Sequence, residues 1–109
     1  MSRPSSNSAL FVALTLAIGV AAAIPARAET ITVTIDKLVF SPVDIQAKVG
    51  DTVEWVNNDI LAHTATVKGD WDVMIPPKKS ASLTLKTAGA VDYFCRFHPN
   101  MKGHIAVAP

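Results

Sequence analysis

The chain has 109 residues, half of them hydrophobic, and its ten basic and nine acidic residues give a net charge of +1. Proteins that bind nucleic acids need a basic field to neutralise phosphates, so this balance argues against a nucleic-acid partner. No run of like charges favours a helix that lies on a membrane surface.

The N-terminal segment has the three parts of a secretory signal. Arg3 supplies a basic start, an apolar run covers residues 9–24, and the small residues of "ARA" at 26–28 follow. The apolar run is shorter than the roughly 20 residues that span a bilayer. We therefore expect residues 1–28 to be a signal peptide cleaved after Ala28, with export to the periplasm and no stable membrane insertion.

The expected mature chain, residues 29–109, is long enough for one domain and one core. It keeps eight basic and nine acidic residues, and we expect a monomer. Cys95 is its only cysteine, so no disulfide stabilises the domain. A lone thiol in an oxidising compartment is prone to oxidation unless something occupies it, and a metal ion would do so.

The first half of this domain alternates apolar and polar residues with the period of a β-strand. The pattern predicts strands at residues 31–35, 43–49 and 52–56. Gly50 and Asp51 mark one turn, and the run 57–59, "NND", marks the next.

The second half continues the pattern with strands at residues 63–67, around Leu83 and Leu85, at 91–95 and at 105–107. The segments "KGDWD" and "PPKK" interrupt it, and we expect Trp71 in a loop. No window has helical periodicity. The sequence therefore predicts an all-β, Greek-key sandwich or barrel of about seven to eight strands.

A cysteine, a histidine and a methionine follow one another at intervals of three in "CRFHPNM", residues 95–101. The segment lies between the last two predicted strands, so it forms a loop at one end of the sandwich. His63 starts a strand and can reach the same end. Two imidazoles, a thiolate and a thioether match electron-transfer copper, whereas structural zinc sites seldom use a thioether.

The segment "YFCRFHPNM", with "AHTATV" upstream, resembles the small blue copper proteins, the cupredoxins, and among them the amicyanins most closely. Plastocyanins and pseudoazurins are similar but have a longer histidine-to-methionine gap. The resemblance implies a cupredoxin-like fold, one type 1 copper ion and a one-electron carrier that is not an enzyme. It implies the copper ligands His63, Cys95, His98 and Met101. It also implies a redox-protein donor and acceptor, an amine dehydrogenase and a c-type cytochrome.

Two positions depart from the amicyanin pattern. Thr64 replaces the asparagine that ties the two ligand loops together, and its hydroxyl can still bridge to backbone with fewer hydrogen bonds. Phe97 replaces a proline and so adds a backbone N–H near the sulfur. The hypothesis is that this N–H gives the thiolate a second hydrogen bond and raises the reduction potential.

An apolar docking patch for a redox partner is expected beside His98, formed with Phe97, Pro99 and Met101. His104 is expected to be an ordinary surface residue, although it could be a further ligand, and Met74 is an alternative axial donor. A copper carrier that delivers the ion and a metal-free structural domain are the alternative functions. A two-copper enzyme would need a longer chain.

Overall fold

The computed structural model describes residues 27–109, so nearly all of the predicted signal segment lies outside the described residues. Within 27–109 no helix is long and apolar enough to cross a membrane. The nine strands are β1 (Thr30–Asp36), β2 (Val39–Ser41), β3 (Asp44–Lys48), β4 (Thr52–Asn57), β5 (His63–Val67), β6 (Trp71–Ile75), β7 (Ser80–Thr84), β8 (Gly89–Phe94) and β9 (Lys102–Ala108).

The strands form two sheets, one of four strands in the order β2-β1-β4-β7 and one of five in the order β3-β9-β8-β5-β6. Two neighbouring pairs, β1–β4 and β3–β9, are parallel, and the others are antiparallel. The predicted all-β sandwich is confirmed. Because β1 and β4 are parallel, both end at the same edge of the sandwich, where the loops that follow them meet the loop after β8.

Alternate side chains of both sheets point inward and form one hydrophobic core. Aromatic rings occupy its centre: Tyr93 lies 4.8 Å from Phe40 and 5.6 Å from Trp55 between ring centroids, and the indole N–H of Trp55 donates to the Tyr93 hydroxyl at 3.2 Å. Each large apolar side chain that is fully buried contributes about 1.5–3 kcal/mol relative to an exposed one.

The prediction that Trp71 lies in a loop is wrong. Residues 68–70 form only the turn of a hairpin, in which Asp70 N–H donates to Val67 O at 2.9 Å, and Trp71 begins β6. Its indole packs 6.0 Å from both Trp55 and Tyr93. β6 and the short β2 therefore bring the strand number to nine, one or two above the predicted number.

Tyr93 and Gly103 face each other in the β8–β9 pair. A Cβ atom added at Gly103 would clash with Cζ and the hydroxyl oxygen of Tyr93. The phenol ring therefore occupies the space that any side chain at Gly103 would need. This contact packs the Tyr93 ring over β9 close to the loop that joins the two strands.

Candidate metal centre

The loop that joins β8 to β9 is closed by its own backbone. Cys95 N–H donates to Met101 O at 3.1 Å, His98 N–H to Cys95 O at 3.2 Å, and Met101 N–H to His98 O at 2.8 Å. Three of the four residues expected as ligands are thereby held within one compact turn of chain. Closing so short a segment costs little chain entropy.

Three donor atoms converge at this end of the sandwich. Nδ1 of His63 lies 3.7 Å from Sγ of Cys95, and Nδ1 of His98 lies 3.8 Å from it. The ligand atoms of all three residues lie within 4.8 Å of one another. An ion that binds nitrogen at about 2.0 Å and sulfur at about 2.3 Å in trigonal geometry separates those atoms by about 3.7 Å, so the spacing fits one metal ion.

The donors differ in their access to solvent. Cys95 and His63 are fully buried, whereas His98 is only partly buried. Met101 is 4% exposed, and its backbone bonds to Cys95 and His98 place it in the same turn. The structure thus brings three predicted donor atoms together, holds Met101 in the same turn, and leaves only His98 near the surface.

A carboxylate fixes the orientation of the buried imidazole. Oδ2 of Asp59 lies 2.8 Å from Nε2 of His63, which leaves Nδ1 free to face Sγ of Cys95. Metal-bound histidines commonly donate their second N–H to such a group, which sets the tautomer. From the sequence, Asp59 was predicted only to be part of a turn. The separation of four residues from His63 was the available signal for a closer role.

Asp59 also holds the turn between β1 and β2. It accepts the N–H groups of Lys37 at 2.7 Å and Leu38 at 3.0 Å, two residues with positive φ of 53° and 60°. Burial opposes ionisation of Asp59, but the hydrogen bonds from Leu38, His63 and Lys37 outweigh it and hold the pKa of this carboxyl below its usual range. One carboxylate therefore links the metal centre to a neighbouring turn.

The buried Asn57 organises the chain between β4 and His63. Its side-chain amide donates to the carbonyl oxygens of Leu61 at 2.9 Å, Ile75 at 3.2 Å and Pro76 at 3.2 Å. Its Oδ1 accepts the N–H of Asp59 at 2.8 Å. This network fixes the loop that delivers Asp59 to the imidazole.

Thr64 touches both ligand segments. Its backbone N–H donates to Sγ of Cys95 at 3.3 Å, and its hydroxyl accepts the N–H of Arg96 at 2.8 Å. The expected bridge from this hydroxyl to backbone is present. The hydrogen bond to the sulfur that the described residues show comes from Thr64 N–H. The second hydrogen bond from Phe97 N–H stays a prediction.

An apolar surface surrounds the exposed side of His98. Phe97 is 46% exposed and Pro99 is exposed, in line with the expected patch. Met101 is buried, so it contributes little to that patch, contrary to expectation. Further exposed apolar side chains at this end are those of Leu38, Ile60, Leu61 and Met74.

The two alternative donors lie outside the site. Met74 is 47% exposed, which favours Met101 as the thioether donor. Nδ1 of His104 bonds to Oδ1 of Asp92 at 2.7 Å in an exposed pair on the outer face of the five-stranded sheet. His104 thus occupies an ordinary surface position.

Comparison with known proteins agrees with this geometry. The model of the cupredoxin-like domain family matches residues 8–107. The chain belongs to the cupredoxin family. The amicyanin of Paracoccus denitrificans is 34% identical over 87 residues, which cover 71% of this chain and 64% of that protein, so the match spans slightly less than two thirds of the relative.

Two further relatives extend the comparison. The methylamine utilization protein MauL of Methylorubrum extorquens is 31% identical over 91 residues, covering 79% of this cupredoxin and 80% of that protein. A solved amicyanin variant in its reduced Cu(I) form superimposes with a TM-score of 0.63 at 33% identity, covering 77% and 85% of the two chains. Cupredoxin membership and the convergence of two imidazoles and a thiolate, with Met101 in the same turn, confirm the expected type 1 copper cofactor.

Proposed function

We propose that this cupredoxin is a periplasmic, monomeric one-electron carrier, with His63, Cys95, His98 and Met101 as its copper ligands. The observation that carries the proposal is the convergence of three donor atoms within 4.8 Å, with Cys95 and His63 fully buried. Bound copper supplies the Cu(I)/Cu(II) couple, and the chain supplies a fixed set of donors.

Electron transfer is fast when the donors move little between the two oxidation states. Asp59 holds His63, the backbone bonds of the 95–101 loop hold His98 and Met101, and Thr64 N–H holds Sγ of Cys95. All of these restraints are hydrogen bonds between parts of the chain, so the protein itself orients the donors.

His98 is the proposed exit for the electron, since it is the one donor imidazole near the surface. Exposed apolar side chains at Phe97 and Pro99 would exclude water where a partner approaches. We propose a redox protein as donor and another as acceptor. The likeness to amicyanins and to a methylamine utilization protein supports an amine dehydrogenase as the donor. A c-type cytochrome is the proposed acceptor.

The first test is the optical and EPR spectrum of residues 29–109 after addition of one equivalent of Cu(II). We expect an intense thiolate-to-copper band and a narrow parallel hyperfine splitting, both lost in Cys95→Ser. His104→Ala, which removes a histidine outside the site, is the matched control and should keep both signals. A pale tetragonal spectrum from the unmodified chain would overturn the proposal.

A second measurement separates electron transfer from copper delivery. Buried donors should release the ion slowly, so copper loss to a chelator should be much slower than electron self-exchange. A copper carrier would show the opposite order.

A further inference from the structure

Four side chains on the outer face of the five-stranded sheet form a closed polar ring next to the metal centre. Thr64 and Thr66 lie on β5, Asp72 lies opposite Thr66 on β6, and Arg96 follows Cys95. Thr64 and Thr66 are buried, whereas the side chains of Asp72 and Arg96 are 48% and 41% exposed. The ring therefore extends from the buried sulfur to the protein surface.

Each hydrogen bond of the ring has only one possible direction. Asp72 accepts from the Thr66 hydroxyl at 2.5 Å, which uses the single proton of that hydroxyl. The Thr64 hydroxyl, 2.9 Å from Thr66, must then be the donor between the two. Thr64 in turn accepts the backbone N–H of Arg96 at 2.8 Å.

The side chain of Arg96 closes the ring. Its Nε donates to Oδ1 of Asp72 at 2.9 Å and its terminal nitrogen to Oδ2 at 3.1 Å. Hydrogen bonds from Arg96 and Thr66 keep the pKa of Asp72 below its usual range, so this carboxylate is the acceptor on which the chain of donors ends.

The ring joins two segments that the β-ladder joins weakly. The only register pair between β5 and β8 is Thr66 with Phe94. Beyond that pair, the segment that carries His63 and the segment that carries Cys95 are connected through Thr64, which is adjacent to His63 and bonded to both Sγ and Arg96 N–H.

We propose that this closed ring holds the Cys95 segment against the His63 strand, and that Asp72 is therefore a positioning residue of the metal centre. The copper readout of this inference rests on the proposed function, but the ring itself is a property of the chain without metal.

The test compares Asp72→Ala with Asp92→Ala. Both substitutions remove an exposed carboxylate that pairs with a basic side chain on the outer face of the same sheet. In the metal-free protein we expect amide hydrogen exchange at Arg96 to become about tenfold faster in Asp72→Ala, since the series of hydrogen bonds loses its terminal acceptor. In the copper-loaded protein we expect about tenfold weaker copper binding and a shifted thiolate band. Asp92→Ala should change none of these.

A second pair of variants distinguishes loss of the ring from a general loss of folding. Thr66→Ser keeps the hydroxyl of the ring and should behave as the unmodified chain, whereas Thr66→Val keeps the shape and should behave as Asp72→Ala. Unchanged Arg96 exchange in both Asp72→Ala and Thr66→Val would overturn the ring. A lower melting temperature with an unchanged thiolate band and copper affinity would overturn the positioning role.

Failure of the proposed function would look different. If the unmodified chain gave no thiolate band, the carrier proposal would fall, and Arg96 exchange in the metal-free variants would still decide whether the ring operates.

Discussion

At the end of the sandwich far from the donor atoms, Asp51 is 1% exposed and accepts the backbone N–H groups of Glu29 at 2.9 Å and Lys48 at 2.8 Å. At the other end, Asp59 accepts two backbone N–H groups of the β1–β2 turn in the same way, and in addition bonds to His63. Each end of the sandwich thus has a carboxylate that accepts two backbone N–H groups, and only Asp59 also contacts the functional site.

This difference separates two tasks of a carboxylate that accepts backbone hydrogen bonds. Asp51 satisfies backbone donors that would otherwise be unpaired, so it contributes to folding alone. Asp59 does the same and also determines which nitrogen of His63 faces the sulfur. Substitution of Asp51 should therefore change stability without changing the metal centre, whereas substitution of Asp59 should change both.

Substitution of Asp51 should give the largest loss of stability. Asp51→Asn replaces an acceptor oxygen by an amide that cannot accept from the facing N–H. We expect the melting temperature of the metal-free protein to fall by on the order of 10 °C, as followed by circular dichroism. The thiolate-to-copper band should stay unchanged, and a shifted band would contradict the separation of the two ends.

Asp59→Asn should affect both properties. We expect a smaller fall in the melting temperature, because Asp59 is less buried, together with about tenfold weaker copper binding from the misoriented imidazole. A competition experiment with a chelator compares the copper affinity of Asp59→Asn with that of Asp51→Asn. Equal affinities in the two variants would show that the bond to His63 has no effect on the metal centre.

Acid should destabilise the end of the sandwich far from the donor atoms by protonating Asp51. The hydrogen bonds from Glu29 and Lys48 lower its pKa in the folded state, so its contribution to stability is present above the unfolded value of about 3.9 and is lost as the pH falls through the folded value. Between pH 5 and pH 2 the unfolding free energy of the unmodified chain should therefore fall more steeply than that of Asp51→Asn. Denaturant unfolding at each pH measures both slopes, and parallel slopes would contradict this assignment.

The smallest expected effect concerns the chain start. If cleavage follows Ala28, the Glu29 nitrogen that donates to Asp51 becomes an α-ammonium group, and such charge-assisted hydrogen bonds are stronger than neutral ones. A chain that starts at Glu29 should then melt a few degrees above one that starts at Arg27. The advantage should disappear above about pH 8, where α-amino groups lose their proton. Identical melting temperatures at pH 6 would argue against this ion pair.

Much of the fold and of the metal centre could be predicted from the sequence because local patterns carry that information. Alternating apolar residues predicted most of the strands, and the spacing of Cys95, His98 and Met101 predicted a loop with soft ligands. His63 was predicted at the same end because it starts a strand, and the structure places it there.

The supporting residues could not be predicted in the same way, since their roles depend on pairing between distant segments. Asp72 reaches Arg96 only because β6 pairs with β5, and β6 was missed when "KGDWD" was taken as a break. Asp59 acquires its role from the β1–β2 turn, in which Leu38 precedes it by 21 residues along the chain.

The contact between Tyr93 and Gly103 has a consequence for the evolutionary record of this family. Neither residue is a predicted ligand, yet a side chain at Gly103 and a phenol at Tyr93 cannot occupy the same space. Among homologous sequences, a residue larger than glycine at the second position should therefore occur with a smaller residue at the first. Such paired exchanges would preserve the packing between β8 and β9 while the loop that joins these strands diverges.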